Sequence, residues 1–179
     1  PVKKYVIPYP YRNEVSGGGV KMIGFRDKIQ LSKEVWIEAI WPMDDRTAKS
    51  GDDDNELNTV YIVHYDGVKV MITGDLVEQD ELDMVKYYNS SDVLKCDILK
   101  VAHHGSRYSS TEDFISAVSP KIAVIQVGKH NTYGHPNPGI IRRLRRHGAA
   151  VYRNDKQGAI GIDINRDRIR IDRMIEDVI

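Results

Sequence analysis

Two short stretches place metal-binding side chains at the ends of apolar runs. In the first, Cys96-Asp97-Ile98-Leu99-Lys100-Val101-Ala102 empties into His103-His104-Gly105-Ser106, and in the second Lys69-Val70-Met71-Ile72-Thr73 runs into Gly74-Asp75. Neutral imidazole binds a divalent ion at about 2.0–2.1 Å, and a carboxylate can bridge two ions through its two oxygens. Two ions about 3.5–4 Å apart polarise a phosphoryl oxygen and supply hydroxide. Asp75, His103 and His104 are therefore the candidate metal ligands, the competing reading of Asp75 being an ordinary Thr-Gly-Asp turn. In extended backbone the two histidines would face opposite ways, so one binds metal and the other contacts the ligand or supports the first. Gly105 allows a tight turn, and Ser106 offers a hydroxyl and backbone donors to an oxyanion.

A third polar stretch, Gly128-Lys129-His130-Asn131-Thr132-Tyr133-Gly134-His135-Pro136, leaves the neighbouring strand on the same edge. Lys129, Tyr133 and His135 suit phosphate binding or proton transfer, whereas His130 serves equally well as a hydrogen-bonded loop residue. His64, within a strand, and His147, at a helix end, read as structural. The basic group Arg142, Arg143, Arg145, Arg146 and Arg153 either tracks a phosphate backbone or is a solvated helix face balanced by acids.

The elements that must position these groups are legible. Strands end at Pro42 after Val35–Trp41, and Asp66-Gly67 turns a hairpin between 59–65 and 68–73 that delivers Asp75. Residues 80–88 read as an amphipathic helix presenting Leu82, Val85 and Tyr88, with Asp80 and Glu81 favourable at its start. Ser109-Ser110-Thr111-Glu112 reads as a capping box opening a short helix with Phe114, Ile115 and Val118. A strand over 121–127 follows, then a helix opened by Asn137-Pro138 and closed before Gly148. Strand, helix, strand, helix, strand over 97–153 implies right-handed crossovers and parallel pairing. Strands near 159–164 and 168–171 are expected to close the sheet edge. Residues 1–19 bury no continuous face and read as a poorly ordered lead-in to a body spanning 20–179. The acidic loop from Met43 to Leu57 lacks the spacing of a calcium site and reads as solvated.

The 179 residues suit one globular domain, and equal counts of acidic and basic residues exclude a global basic field for nucleic acid. The single cysteine, Cys96, excludes an internal disulfide and reads as a buried thiol. No apolar run reaches the roughly 20 residues of a membrane span, and Pro1-Val2-Lys3-Lys4 lacks a signal-peptide core.

Together, Asn58-Thr59, Thr73-Gly74-Asp75, Leu99-Lys100-Val101-Ala102-His103-His104-Gly105-Ser106, Ser109-Ser110, Tyr133-Gly134-His135-Pro136 and Tyr152-Arg153 resemble the metallo-β-lactamase-like domain of ComEC-type competence proteins. The resemblance runs from about Trp41 to Ile164. It implies an α/β (α+β) fold of the αββα sandwich type, two divalent ions such as zinc or manganese, and hydrolysis of phosphodiesters, single-stranded DNA among them. It implies Asp75 as bridging carboxylate, His103 and His104 as later ligands, and His104 and His135 in catalysis. Ser106, Asn58, Lys129 and Tyr133 would then meet the substrate phosphate. It also implies the extracytoplasmic side of a bacterial membrane, or secretion, with any membrane contact made through a parent protein.

The family's first metal motif, His-x-His-x-Asp-His or His-x-Asp-x-Asp-His, has no counterpart here, and no histidine precedes His64. The chain therefore reads as the later portion of such a domain, a single partial domain over 1–179, with opening strands and main ligand loop expected upstream of Pro1. Metal is expected to be held weakly or not at all by this chain alone. An uncovered sheet would favour self-association. The alternative reading is a non-catalytic binding or scaffold module that keeps the fold without the metal.

Overall fold

Alternation of apolar residues builds seven short strands, which pair into one mixed sheet. The computed structural model describes residues 5–8, 20–43, 58–89, 91–165 and 168–175. Most of the acidic loop, from residue 44 to 57, lies outside the described residues. The sheet runs β3 (Lys28–Gln30), β4 (Val35–Trp41), β5 (Val60–Tyr65), β6 (Val68–Ile72), β7 (Ile98–Lys100), β8 (Ile122–Ile125) and β9 (Ala150–Arg153), in that spatial order. From β3 to β6 it is antiparallel, and from β6 to β9 parallel. The β5–β6 turn uses Asp66 and Gly67 at φ +49° and +79°, the backbone that a tight two-residue hairpin demands.

Three helices make the parallel crossovers: α1 (Glu78–Tyr88), α2 (Glu112–Val118) and α3 (Pro138–Arg146). Met84 and Tyr88, Phe114, Ile115 and Val118, and Ile140 and Leu144 pack onto Met71, Leu99, Val101, Ala123 and Ile125 in one core. Asn137 opens α3 as expected, its side chain accepting from the Gly139 N–H, with Pro138 in the first turn. The parallel half and its crossovers also match the sequence reading.

Four local expectations are corrected. On α1 the buried positions are Asp80, Glu81, Met84 and Tyr88, while Leu82 is exposed. The rotation is set by the Tyr88 hydroxyl, which donates to the Ile40 carbonyl at 3.0 Å, and by Glu81, which is used inside the protein rather than on the helix dipole. The cap of α2 is Thr111, accepting from the Phe114 N–H at 3.2 Å, not Ser109. Glu112 reaches Arg143, Arg146 and His147 instead of folding back, at 3.1, 2.6 and 2.6 Å. Within the expected lead-in, Tyr5–Pro8 forms β1, pairing in parallel with β2 (Val20–Ile23). After the short α4 (Asn154–Gln157), the closing strands β10 (Ile160–Asn165) and β11 (Arg168–Arg173) pair with each other in a separate two-stranded sheet, not on the main edge.

Helices thus cover one face of the main sheet. The other face carries an apolar groove lined by Val6, Ile29, Ile37, Tyr61, Val63 and Ile72. A sheet apolar on both faces is the layering of an α+β sandwich. Leu99, fully buried on β7, should be among the residues whose truncation is most damaging. Leu99→Ala is expected to cost about 2–5 kcal/mol in urea unfolding, and a loss under about 1 kcal/mol would contradict the packing described.

Candidate active site

Strand β6 ends at a cluster of hydrogen bonds that fixes Asp75. Thr73 is buried and its hydroxyl donates to the Lys100 carbonyl at 2.7 Å. Gly74 adopts φ +56°, and a Cβ there would fall 2.0 Å from Asn58 Oδ1, so only glycine lets the amide approach. Asn58 Nδ2 donates to the Thr73 carbonyl at 2.6 Å, and Asn58 Oδ1 accepts from the Asp75 N–H at 3.0 Å. Both ends of the Asn58 amide are thus committed to backbone. Through these bonds Asn58 holds the backbone at Asp75.

The dihistidine segment is not extended, and the alternation expected from extended backbone does not apply. His103 (φ +47°, ψ +43°) and His104 (φ +54°, ψ +21°) are both left-handed, within a 3₁₀ turn over Ala102–Gly105. Such conformations cost of order 1–3 kcal/mol each and persist only where surroundings impose them. The His103 N–H donates to the Gly74 carbonyl at 3.1 Å, the Ser106 N–H returns to the His103 carbonyl at 2.8 Å, and the Asn137 N–H reaches the Gly105 carbonyl at 2.8 Å. Gly105, at φ +78°, has no room for a Cβ, which would lie 2.6 Å from Pro136 Cβ.

This turn aims the two imidazoles differently. His104 Nδ1 lies 2.6 Å from the Gln126 carbonyl, so that nitrogen carries the hydrogen. In the neutral ring, Nε2 then presents a lone pair to Asp75 Oδ1, 3.6 Å away. An imidazole nitrogen and a carboxylate oxygen are both donor types that a divalent ion takes, and a ring whose other nitrogen donates to a backbone carbonyl is oriented as metal-bound histidines are. Lys100 Nζ donates to the Gly74 carbonyl at 2.7 Å and stands 3.9 Å from Asp75 Oδ1. Burial draws Lys100 below the usual lysine range, against the opposing pull of Asp75.

His103 faces the other way, into an open cleft of about 480 Å³ lined also by Ser106, Arg107, Tyr108, Tyr133, His135 and Asn137. Its Nδ1 is buried without a hydrogen-bond partner, and its ring lies 6.0 Å from that of His135. Asn131 locks His135 from both sides: its Nδ2 donates to the His135 carbonyl at 2.8 Å and its Oδ1 accepts the His135 N–H at 2.9 Å. Burial lowers the His135 pKa from the ordinary histidine value, followed by the neighbouring His103 and His104, against Asp75. Tyr133, 82% exposed, stands at the mouth with its ring 5.9 Å from that of His135. Ser106 is buried and its hydroxyl accepts from the Tyr108 N–H at 3.3 Å.

The structure therefore brings together Asp75, His104, His103, His135, Ser106 and Tyr133. It leaves Lys129 and His130 exposed, outside the lining of this cleft and of the adjoining recess beside His104. Sequence reasoning missed Lys100, Gln126, Asn131, Arg107 and Tyr108. Of these only Lys100, a charge at the end of an apolar strand, carried a readable signal. His64 is structural: it stacks on Trp36 at 3.5 Å, and burial, with Lys69 and Lys28, holds its pKa down at about 4. Cys96 is buried, its thiol pushed up to about 12 by desolvation. Arg143, Arg146 and Arg153 are committed to Glu112 and Asp155.

Among the described residues, no three His, Cys, Asp or Glu side chains converge on one point. Asp75 and His104 fit as two ligands of a divalent ion, short of the set that would hold it alone.

The chain is similar to known proteins in sequence and in fold. Residues 35–130, just over half of the chain, match the model of the metallo-beta-lactamase superfamily, and the chain belongs to that superfamily, whose members generally use divalent metals. Its relatives are competence proteins of the ComEC type. It is 37% identical over 106 residues to ComE operon protein 3 of Bacillus subtilis, covering 59% of this chain and 13% of that protein. It is 35% identical over 122 residues to competence protein ComA of Neisseria gonorrhoeae, covering 68% and 17%. With recombination protein 2 of Haemophilus influenzae the figures are 30% over 118 residues, covering 66% and 14%. The chain thus spans less than a fifth of the length of these relatives. A crystallised protein of Parabacteroides distasonis, named as a metal-dependent hydrolase, shares the fold with a TM-score of 0.51 at 22% identity, over 77% of this chain and 59% of that one. No described helix is long and apolar enough to cross a membrane.

Asn58→Ala should loosen Asp75 without touching a histidine. The expected result is metal retention weakened about 10–100-fold in equilibrium dialysis, the usual cost of losing a residue that orients a ligand. Retention equal to that of the unaltered chain would show that Asn58 does not position the carboxylate.

Proposed function

We propose that this chain is part of a metal-dependent hydrolase of phosphodiester bonds, with nucleic acid, single-stranded DNA in particular, as its substrate. The observation that carries the reading is the Asp75 Oδ1–His104 Nε2 approach of 3.6 Å, with His104 Nδ1 already committed to the Gln126 carbonyl. Asp75 and His104 would hold a divalent ion, zinc or manganese, with His103 beside them. When bound, such an ion polarises a phosphoryl oxygen and lowers the pKa of water. The chain's own residues do the rest. The cleft admits the substrate between Tyr133 and Ser106, which meet it near the phosphate, Lys129 remaining a contact for its more distant part. His135, held below the ordinary histidine value, is neutral at neutral pH and can take a proton at its free ring nitrogen.

The relatives, two of them named for competence and for recombination, support nucleic acid as the substrate class, and the alignment covers only a small part of them. We read residues 1–179 as one partial domain whose remaining ligands lie in other sequence. We place it at the extracytoplasmic side of a bacterial membrane or in secretion, with membrane contact through a parent protein. The apolar groove on the open sheet face supports self-association as a further property. A second reading is a scaffold module that keeps the fold without metal.

The test is elemental analysis after dialysis against manganese or zinc, comparing the chain with Asp75→Asn, followed by hydrolysis of a labelled single-stranded oligonucleotide. The expected outcome is substoichiometric metal in the unaltered chain, lost in Asp75→Asn, with cleavage that depends on added metal. Metal equally absent from both, with oligonucleotide binding unchanged by Asp75→Asn, would establish the scaffold. Near two ions per chain would refute the partial-site reading.

A further inference from the structure

Glu81 is a carboxylate with no place in the site described above and no contact with water. It is fully buried on α1, and both its oxygens are used: Oε1 accepts the Ser110 N–H at 2.5 Å and Oε2 the Thr111 N–H at 2.7 Å. Burying an ionisable group costs several kcal/mol even after relaxation, so its partners must return something. What they hold is a strained segment. Ser110 adopts φ +54°, and its carbonyl is gripped from the other side by Arg143 Nη1 at 2.5 Å. The same segment is tied to α1 again where the Glu78 N–H donates to the Tyr108 carbonyl at 3.0 Å.

The segment leads straight to the cleft. The hydroxyl of Ser109, buried beside Ser110, shares its hydrogen between the Ala102 and Ser106 carbonyls, each at 3.1 Å. Ala102 and Ser106 are the residues on either side of the His103-His104-Gly105 turn. Glu81 is thus joined by a hydrogen bond to Ser110, through the chain to Ser109, and by the Ser109 hydroxyl to both ends of the left-handed dihistidine turn.

We propose that Glu81 is the positioning residue for that turn, holding the 106–111 loop so that His103, His104 and Ser106 keep their places at the cleft. A merely structural carboxylate would stabilise the fold as a whole. This one stabilises a particular local conformation that the backbone disfavours. The inference concerns the chain without metal and stands whether or not the hydrolase reading does.

Its ionisation offers a signature. Desolvation pushes the Glu81 pKa up to about 7, against the N–H bonds from Thr111 and Ser110, which favour the charged form, while Glu78 on the same helix raises it further. Charged groups on or beside the segment include Arg107 within it, Glu112 of α2 and Arg143 of α3, and Glu112 pairs with Arg143, Arg146 and His147. Because the folded value lies above the ordinary 4.5, the folded state binds this proton more tightly than the unfolded chain. Its contribution is complete below about pH 4.5 and is lost as pH rises to about 7, so stability falls across that window through this group.

The test uses the full chain with Glu81→Gln, Glu81→Asp and Ser109→Ala, followed by amide hydrogen exchange and by the ring resonances of the histidines. In Glu81→Gln at least one of the Ser110 and Thr111 amides should exchange about tenfold faster or more, since the side chain keeps one acceptor oxygen and turns an NH2 towards the other N–H. The His103 and His104 ring signals should move while those of His64 stay in place. The decline in stability between pH 4.5 and 7 should flatten in Glu81→Gln and persist in Glu81→Asp. Ser109→Ala should move the same two rings but leave that pH slope intact. If the variants lose stability while the His103 and His104 signals stay put, or if the rings of all the histidines move together, Glu81 is not a positioning residue.

Discussion

The carbonyl of Gly74 is the point on which this site depends. It accepts two donors from the neighbouring strand end, Lys100 Nζ at 2.7 Å and the His103 N–H at 3.1 Å. One bond ties β6 to the last residue of β7, and the other ties it to the turn that follows. A strand end has backbone groups with no ladder partner, and these must be satisfied by something nearby. Here they are satisfied by the segment that carries the histidines. The parallel register of Ile72 with Lys100 then sets Asp75 beside His104 rather than one residue along. Glycine is required at 74 because the Asn58 amide occupies the space of a side chain.

Around that junction, charges of opposite sign are held close without being neutralised as simple pairs. Asp75 is 40% exposed and sits between Lys100 and His104 at 3.9 and 3.6 Å, both longer than a hydrogen bond. A carboxylate meant only for stability would be expected to close on one cation. This one is held off by its own backbone bond to Asn58 and by the commitment of Lys100 Nζ to a carbonyl. The result is a carboxylate oxygen and an imidazole nitrogen held 3.6 Å apart by bonds that each makes elsewhere.

Much of this was legible in the sequence, and the failures are physical. The Asp66-Gly67 turn, the Pro42 stop, the Asn137-Pro138 helix start and the parallel half follow from local chemistry that tertiary structure did not override. Asp75, His103 and His104 stand out in the sequence because they directly follow apolar strands, and the fold brings them together with His135. What was hidden required contacts across the chain. Asn58 and Asp75 are separated by 17 positions, and no periodicity reveals that an amide will clamp a glycine turn. Glu81 looked like a dipole-favoured acid because its helical position permits that role, and only its partners at 110 and 111, about 30 positions away, turn it inward. Two successive left-handed histidines cannot be inferred from composition, since the conformation is imposed by Ser109, Gly74 and Asn137 rather than preferred by histidine.

The two faces of the sheet then carry different burdens. On the helical face, the buried Glu81 and Thr73 are both paired, and they fix a loop and a strand end. On the opposite face, Ile29, Ile37, Val63 and Ile72 form an apolar surface whose burial scales with area. Area-driven packing tolerates substitution and shifts of register in whatever lies against it, whereas the hydrogen-bonded strand ends do not. The precision of the site therefore comes from the helical side, through α1 and the loop it grips, and this is why a carboxylate remote from the cleft can govern the geometry of the histidines in it.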